Sequence, residues 1–368
     1  MPEPVAQQLG VVASTSGRAV AVSAAAVTLP PLDADGEAAQ QNVRCPWIKG
    51  IPHTQPCLQR FRRFLDDVAN DYPASHHSEH FASFAASADG SFIVYAKNWA
   101  TAQAVADAAP RIYHNLSMEW FGARTTRPLE PFVIAVCEDS SVGAGGSTQM
   151  YHYAKDPTEF VGCYMQGSKE RILDSVLPHE LTHALTARHF NRPVPRWADE
   201  GIATLPEHPS ETIKRQNGVE ALVKNNTARP AAEIFARLEY PNAKEVLPFY
   251  DQGYSLSKFL IARGEAIEKI EQDGIQLSGK RRFTHFLQHL IDVNSNPVSV
   301  ERTLKELYGF KSMKALDESW KWWVKNESNP MLALTTLDAS QLNSPMYQYR
   351  PPALGTSIAP SASASAAR

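Results

Sequence analysis

Residues 179–183 read His-Glu-Leu-Thr-His, a set of side-chain types and spacings that can hold a metal ion. On a helix, residues four apart share one face. His179 and His183 can therefore present two imidazole nitrogens to one divalent ion. Glu180 projects beside them, within reach of a water on that ion, where a carboxylate acts as general base. The chemistry expected is metal-assisted hydrolysis of an amide bond. The bland alternative is a surface helix with two solvated histidines. Ile172, Leu173, Val176 and Leu177 argue for the first reading, because a buried helix needs an apolar lead-in. Pro178 cannot donate to the carbonyl of Asp174, so the helix either kinks there or begins its regular part there.

A catalytic zinc takes three protein ligands and leaves one position open. Two residues compete for the third place. His189 follows His183 by the metzincin spacing H-E-x-x-H-x-x-G-x-x-H, but Thr186 stands where that pattern has glycine. The chain turns sharply at that glycine, and a β-branched residue resists positive φ. His189 also reads as a cation at a helix C-terminus, where it suits the dipole. A Met-turn lookalike, Ser344-Pro-Met-Tyr347, lies far off in the tail.

Glu200 fits better. It lies in P-V-P-R-W-A-D-E-G-I-A, residues 193–203, where two prolines end a connection and a second helix begins near Trp197. The connection is long enough to fold that helix back on the first. A carboxylate there completes a His2Glu set for one Zn2+ ion with a position left open. Asp199 faces about 100° away on the same helix. It is either an outer partner of a ligand or an acidic residue facing the dipole. Thr204, one turn on, either supports a ligand or packs.

These side chains need elements to hold them. Residues 91–96 read as a strand after an Asp89-Gly90 turn, and 131–136 as another. Between them, 98–120 reads as an amphipathic helix capped by Asn98, with Ala102, Val105, Ala109, Ile112, Leu116 and Trp120 at helical spacing. Strand-like stretches at 149–154 and 159–166 lead to a helix beginning near Ser168. Beyond about 190 the pattern is helical, near 197–205, 210–224, 250–263, 281–292, 299–308 and 312–326. Strands first and helices later predict an α+β fold. The division expected is 1–44 disordered, 45–77 an N-terminal extension, 78–190 an α/β part ending in the HExxH helix, 191–328 a helical lobe with the third ligand, and 329–368 a disordered tail.

Composition excludes other classes. The 368 residues are 43% hydrophobic and 20% charged, with net charge −3, so no basic field calls for nucleic acid. No apolar run reaches the roughly 18 residues of a membrane span. Arg18 before A-V-A-V-S-A-A-A-V (19–27) reads either as a signal-peptide core cleaved near Ala26 or as a low-complexity linker. Export would place the protein outside the cytoplasm. Cys45, Cys57, Cys137 and Cys163 show no C-x-x-C spacing; in an exported chain Cys45–Cys57 is the most local pair, and four buried thiols are the alternative. The cluster His76-His-Ser-Glu-His80 reads as a solvated loop, with a second metal site as the alternative, and His285 with His289 as helix-face residues lacking a following Glu. G-A-G-G-S-T (143–148) lacks the lysine of a phosphate loop and reads as a flexible loop near the cleft. Trp320, Trp322 and Trp323 read as docking the last helix.

V-L-P-H-E-L-T-H followed by P-R-W-A-D-E-G-I-A resembles the gluzincin (thermolysin-like) zinc metallopeptidases, and within them the bacterial peptidase-MA-like proteins with a W-x-x-E-G motif. The likeness is specific at 177–205 and loose over the rest of 78–326. The resemblance implies a zincin-like fold: a mixed sheet whose edge strand packs on the active-site helix and pairs with an extended peptide or protein substrate, then a mainly helical lobe. Residues 159–166 occupy the place of that edge strand. It also implies one Zn2+ ion, with His179, His183 and Glu200 as ligands and Glu180 as the base. A tyrosine from P-F-Y-D-Q-G-Y-S-L-S-K-F-L (248–260) would donate to the oxyanion; Tyr254 and Tyr250 are the candidates, and aromatic core packing is the alternative for each. The spacing from His183 to Glu200 is shorter than in thermolysin. A non-catalytic zinc- or peptide-binding protein on the same scaffold is the rival reading.

Overall fold

The computed structural model describes Gln8–Leu9, residues 64, 66–68 and 72, and residues 78–326 apart from 124–130, 154–155, 238, 273–274, 278 and 294–295. Apart from Gln8–Leu9, the terminal segments expected to be disordered, the pair Cys45 and Cys57, the residues 344–347, and His76 and His77 lie outside that description.

Five strands form one mixed sheet: Ser83–Ala86 (β1), Phe92–Ala96 (β2), Phe132–Glu138 (β3), Gly145–Tyr153 (β4) and Asp156–Gly167 (β5). Their spatial order is β1-β2-β3-β5-β4. The β2/β3 and β3/β5 pairs are parallel; β1/β2 and β4/β5 are antiparallel. Gln8–Leu9 pairs antiparallel with the far end of β4, opposite Tyr151 and Met150. Residues 159–166 are therefore not the edge, contrary to the expectation drawn from the resemblance. They lie inside β5, between β3 and β4. The run Val161-Gly-Cys-Tyr-Met165 is buried throughout, as a strand covered on both faces must be. The edge on the active-site side is β4. G-A-G-G-S-T is correspondingly not a loop: from Gly145 onward it is strand.

The alternation along β3 splits the core. Phe132, Ile134 and Val136 face the larger cluster, while Val133, Ala135 and Cys137 face a smaller one with Phe64, Val68, Tyr72, Phe81 and Tyr164. Against the larger face packs Trp99–Phe121 (α1), capped by Asn98, whose Oδ1 accepts from the Thr101 amide at 2.9 Å.

The remaining chain is mostly helical: Leu177–Phe190 (α2), Arg196–Thr204 (α3), Pro209–Lys224 (α4), Ala231–Phe235 (α5) and Val246–Ala266 (α6). A hairpin of Ile270–Gln272 (β6) and Ile275–Leu277 (β7) precedes Gly279–Asp292 (α7), Pro297–Tyr308 (α8) and Met313–Lys325 (α9). β1, α5 and the hairpin carry no signal strong enough to be seen in the sequence. Trp320 and Trp323 are buried beneath α9, and the Trp320 indole donates to Ser255 on α6. Among the described residues, no helix is long and apolar enough to cross a membrane. The architecture is α+β, a mixed sheet followed by a mainly helical part.

Candidate metal centre

The helix carrying the histidines is prepared by an unusual turn. Ser168 caps a first turn, and residues Ile172–Val176 then form a π-helix that passes into α2 at Leu177. The Leu177 amide donates to the carbonyl of Ile172, five residues back. Pro178 explains this: it has no N–H for the ladder, so the turn ahead of it widens and the regular helix starts beside it. His179, Glu180 and His183 follow at once, on a segment whose Leu181, Ala184 and Leu185 are fully buried.

Asn191, at φ 50°, ends α2, and its amide donates to Ala187. Prolines 193 and 195 then bring α3 back against α2. The depth of α3 is set by Gly201. A Cβ there would lie 2.4 Å from the Gly253 carbonyl oxygen of α6, so the two helices touch backbone to backbone. Trp197 is fully buried and stacks on Phe235, 4.2 Å between ring centres. This packing turns Glu200 toward α2.

His179, His183 and Glu200 converge. His179 Nε2 and His183 Nε2 are 3.0 Å apart, and Glu200 Oε2 lies 3.6 Å from the first and 4.0 Å from the second. Among the described residues this is the one group of three potential ligands gathered in this way. A tetrahedral ion with bonds of 2.0–2.1 Å sets its ligand atoms roughly 3.4 Å apart. The observed separations bracket that value, and two imidazoles with one carboxylate are a donor set that zinc accepts. The residues fit the ion.

Each candidate ligand also has a partner behind it. His179 Nδ1 is 2.6 Å from Glu207 Oε1, and His183 Nδ1 lies at ion-pair distance, 3.0 Å, from Asp199 Oδ1. The Tyr240 hydroxyl donates to Glu200 Oε1 at 2.6 Å. Such partners fix the tautomer and orientation of a metal ligand. Burial works against charged imidazoles, but Glu200 and Glu207 outweigh it for His179, and Asp199 and Glu200 do so for His183. Both are held above the usual histidine range. Burial likewise pushes Glu200 up, yet the hydrogen bond to His179 and the His183 charge leave it below the usual carboxylate range.

Glu180 sits next to this triangle, 1% exposed, and accepts from Thr148 Oγ1 of β4 at 2.6 Å. Desolvation raises its pKa, partly offset by the two histidines and Thr148. β4 passes very close: a Cβ on Gly146 would meet Glu180 Oε1 at 2.6 Å. The same Cβ would meet the Tyr164 carbonyl oxygen of β5 at 2.6 Å, and that backbone cannot give, so β4 needs glycine at 146. Residues 143–146, His179, Glu180, Glu200 and Tyr250 all line a cleft of about 480 Å³.

Of the two tyrosines singled out, Tyr250 lines this cleft, with its ring 6.2 Å from that of Tyr240. Tyr254 is buried one turn further along α6 and is not among the lining residues; Lys258 Nζ lies 5.5 Å from its ring centre. His189 is outside the triangle, its ring stacked 3.6 Å from that of Phe121. Thr204 Oγ1 donates to the Glu200 backbone carbonyl, not to its carboxylate. Of the H-H-S-E-H cluster, His80 is not on a solvated loop: it lies in the short 3-10 helix Ser78–Phe81, buried, with Nδ1 4.0 Å from Cys137 Sγ. Cys137 and Cys163 are free thiols, and burial pushes Cys163 up to about 12. Thr148, Glu207 and Tyr240 carry no signal in the sequence, being 32, 28 and 40 residues from the side chains they hold. The chain matches no protein-family model and no curated protein.

Proposed function

We propose that this protein is a zinc-dependent metallopeptidase of the gluzincin type, on a zincin-like fold, hydrolysing peptide bonds with Glu180 as general base. The observation that carries the reading is the place of Glu180: buried, lining the cleft beside the ligand triangle, but not part of it. A site that only stores or displays zinc has no use for a carboxylate there.

His179, His183 and Glu200 would hold one Zn2+ ion. Such an ion supplies a Lewis acid for the scissile carbonyl and lowers the pKa of water to about 7. The protein's own groups do the rest. Thr148 aims the Glu180 carboxylate, which takes a proton from the attacking water and returns it to the leaving amine. The start of β4 lines the cleft at Gly145 and Gly146, and its edge is where an extended peptide would add its backbone, giving affinity with little side-chain selectivity; the Gly146 carbonyl already accepts from the Tyr72 hydroxyl at 2.7 Å. The hydroxyl of Tyr250, which also lines the cleft, is the donor for the developing oxyanion.

The rival is a non-catalytic zinc- or peptide-binding protein on the same scaffold. Zinc content and hydrolysis of a peptide library, wild type against Glu180→Gln, separate the two. Peptidase action requires turnover in the wild type, lost in Glu180→Gln, with zinc retained by both. Zinc in both and turnover in neither would establish the binding protein instead.

A further inference from the structure

Arg196 occupies the first position of α3. A cation at that end opposes the helix dipole. Its side chain is only 15% exposed, and burial penalises the charge. Local rules thus disfavour arginine here, and its neighbours must compensate. Two of them do so. Nη1 lies 3.5 Å from Asp199 Oδ2, and Cζ lies 5.0 Å from the centre of the Tyr240 ring.

Those two neighbours each reach a different ligand. The other oxygen of Asp199 faces His183 Nδ1, and the Tyr240 hydroxyl donates to Glu200 Oε1. One guanidinium therefore stands behind two of the three ligands. It also meets a charge problem. Glu180, Asp199, Glu200 and Glu207 gather four carboxylates around two imidazoles. A divalent ion offsets two of these charges, and Arg196 offsets a third. Only a planar cation can cover an aromatic face while an edge N–H meets a carboxylate, so lysine is not equivalent.

We propose that Arg196 is a positioning residue of the metal centre, holding the Asp199 carboxylate and the Tyr240 ring and, through them, His183 and Glu200. This rests on the metal-centre reading above but does not require peptide hydrolysis.

The test is zinc affinity of the full chain, measured against a competing chromophoric chelator. The visible spectrum of the Co2+-substituted protein is recorded in parallel, because it reports ligand geometry directly. Loss of one outer partner weakens metal binding about 10–100-fold. Tyr240→Phe is expected near the lower end of that range, and Arg196→Met near the upper end, each with a shifted cobalt band. Arg196→Lys is expected to recover part of the affinity but not the wild-type spectrum. If circular dichroism shows that Arg196→Met does not fold, Arg196→Lys and Tyr240→Phe carry the test. Wild-type affinity and an unchanged cobalt spectrum in a folded Arg196 variant would overturn the inference while leaving the metal centre intact. A wild-type chain that binds no zinc overturns both. Zinc binding that responds to Arg196, without any peptide turnover, supports the inference and removes only the peptidase.

Discussion

Two helices of this protein carry histidines four residues apart. The rings of His179 and His183 are 4.8 Å apart at 72°, and those of His285 and His289 are 4.9 Å apart at 80°. Helical periodicity makes the two pairs nearly identical. Their surroundings do not match. The first pair meets Glu200 from another helix and has Glu207 and Asp199 behind its rings. The second lies half-buried on α7, and among the described residues no third ligand gathers with it. Spacing alone makes half of the candidate metal centre. The other half is a carboxylate returned from elsewhere in the chain, with anions that set the imidazole tautomers.

Variants can erase or widen that difference. The largest effect is expected from Glu180→Gln, since His285 is followed by Phe286 where His179 has Glu180. Turnover of peptide should fall by about 10²–10⁴-fold, with zinc content by mass spectrometry unchanged. Next comes Glu200→Ala, which takes the third candidate ligand from the first pair and leaves Glu207 and Asp199 behind its rings. Zinc affinity should fall beyond the roughly 100-fold limit typical of an outer partner, and His189→Ala should leave it intact. Retention of zinc in Glu200→Ala would sink the gluzincin assignment. Glu207→Ala should weaken zinc by about 10–100-fold, with partial recovery in Glu207→Gln, which keeps an acceptor for His179.

A smaller effect is expected from pH. In the ion-free protein His179 and His183 have raised pKa values. Their contribution to stability is complete below the unfolded-state value near 6.5 and is lost as pH climbs through the raised folded values. Zinc binds neutral imidazole, so with zinc in excess the stabilisation gained should grow with pH. Thermal unfolding across pH 5–9, with and without zinc, measures both slopes; parallel slopes would contradict the shared site. The smallest effect belongs to the second pair: His285→Ala with His289→Ala should leave zinc stoichiometry and affinity unchanged.

What could be read from the sequence follows the range of each interaction. His179, Glu180 and His183 are legible because five residues of helix place them. Asn98 is legible as a cap, and Ser168 as the place where a helix begins, because a cap acts within three residues, on the amides of Thr101 and Arg171. Glu200 is one step harder, since prolines and a following helix only suggest the return. The edge strand is misread because Phe160–Met165 is the stronger strand pattern, and a strand covered on both faces looks more strand-like than an edge. Gly145 and Gly146 read as loop because glycine is a poor strand former, yet glycine is what lets β4 approach Glu180. Tyr250 and Tyr254 look equivalent one turn apart. Only the packing of α3 on α6, at Gly201 and Gly253, decides which of them lines the cleft.

The sequence by itself determined the two imidazoles, the neighbouring carboxylate and the order of strands before helices, because each follows from backbone periodicity over a few residues. The tertiary structure alone decided that Thr148, Glu207, Tyr240 and Arg196 stand around them, and that β4 forms the cleft wall. Those choices depend on contacts between segments tens of residues apart, where side-chain volume and burial select partners that no local pattern encodes.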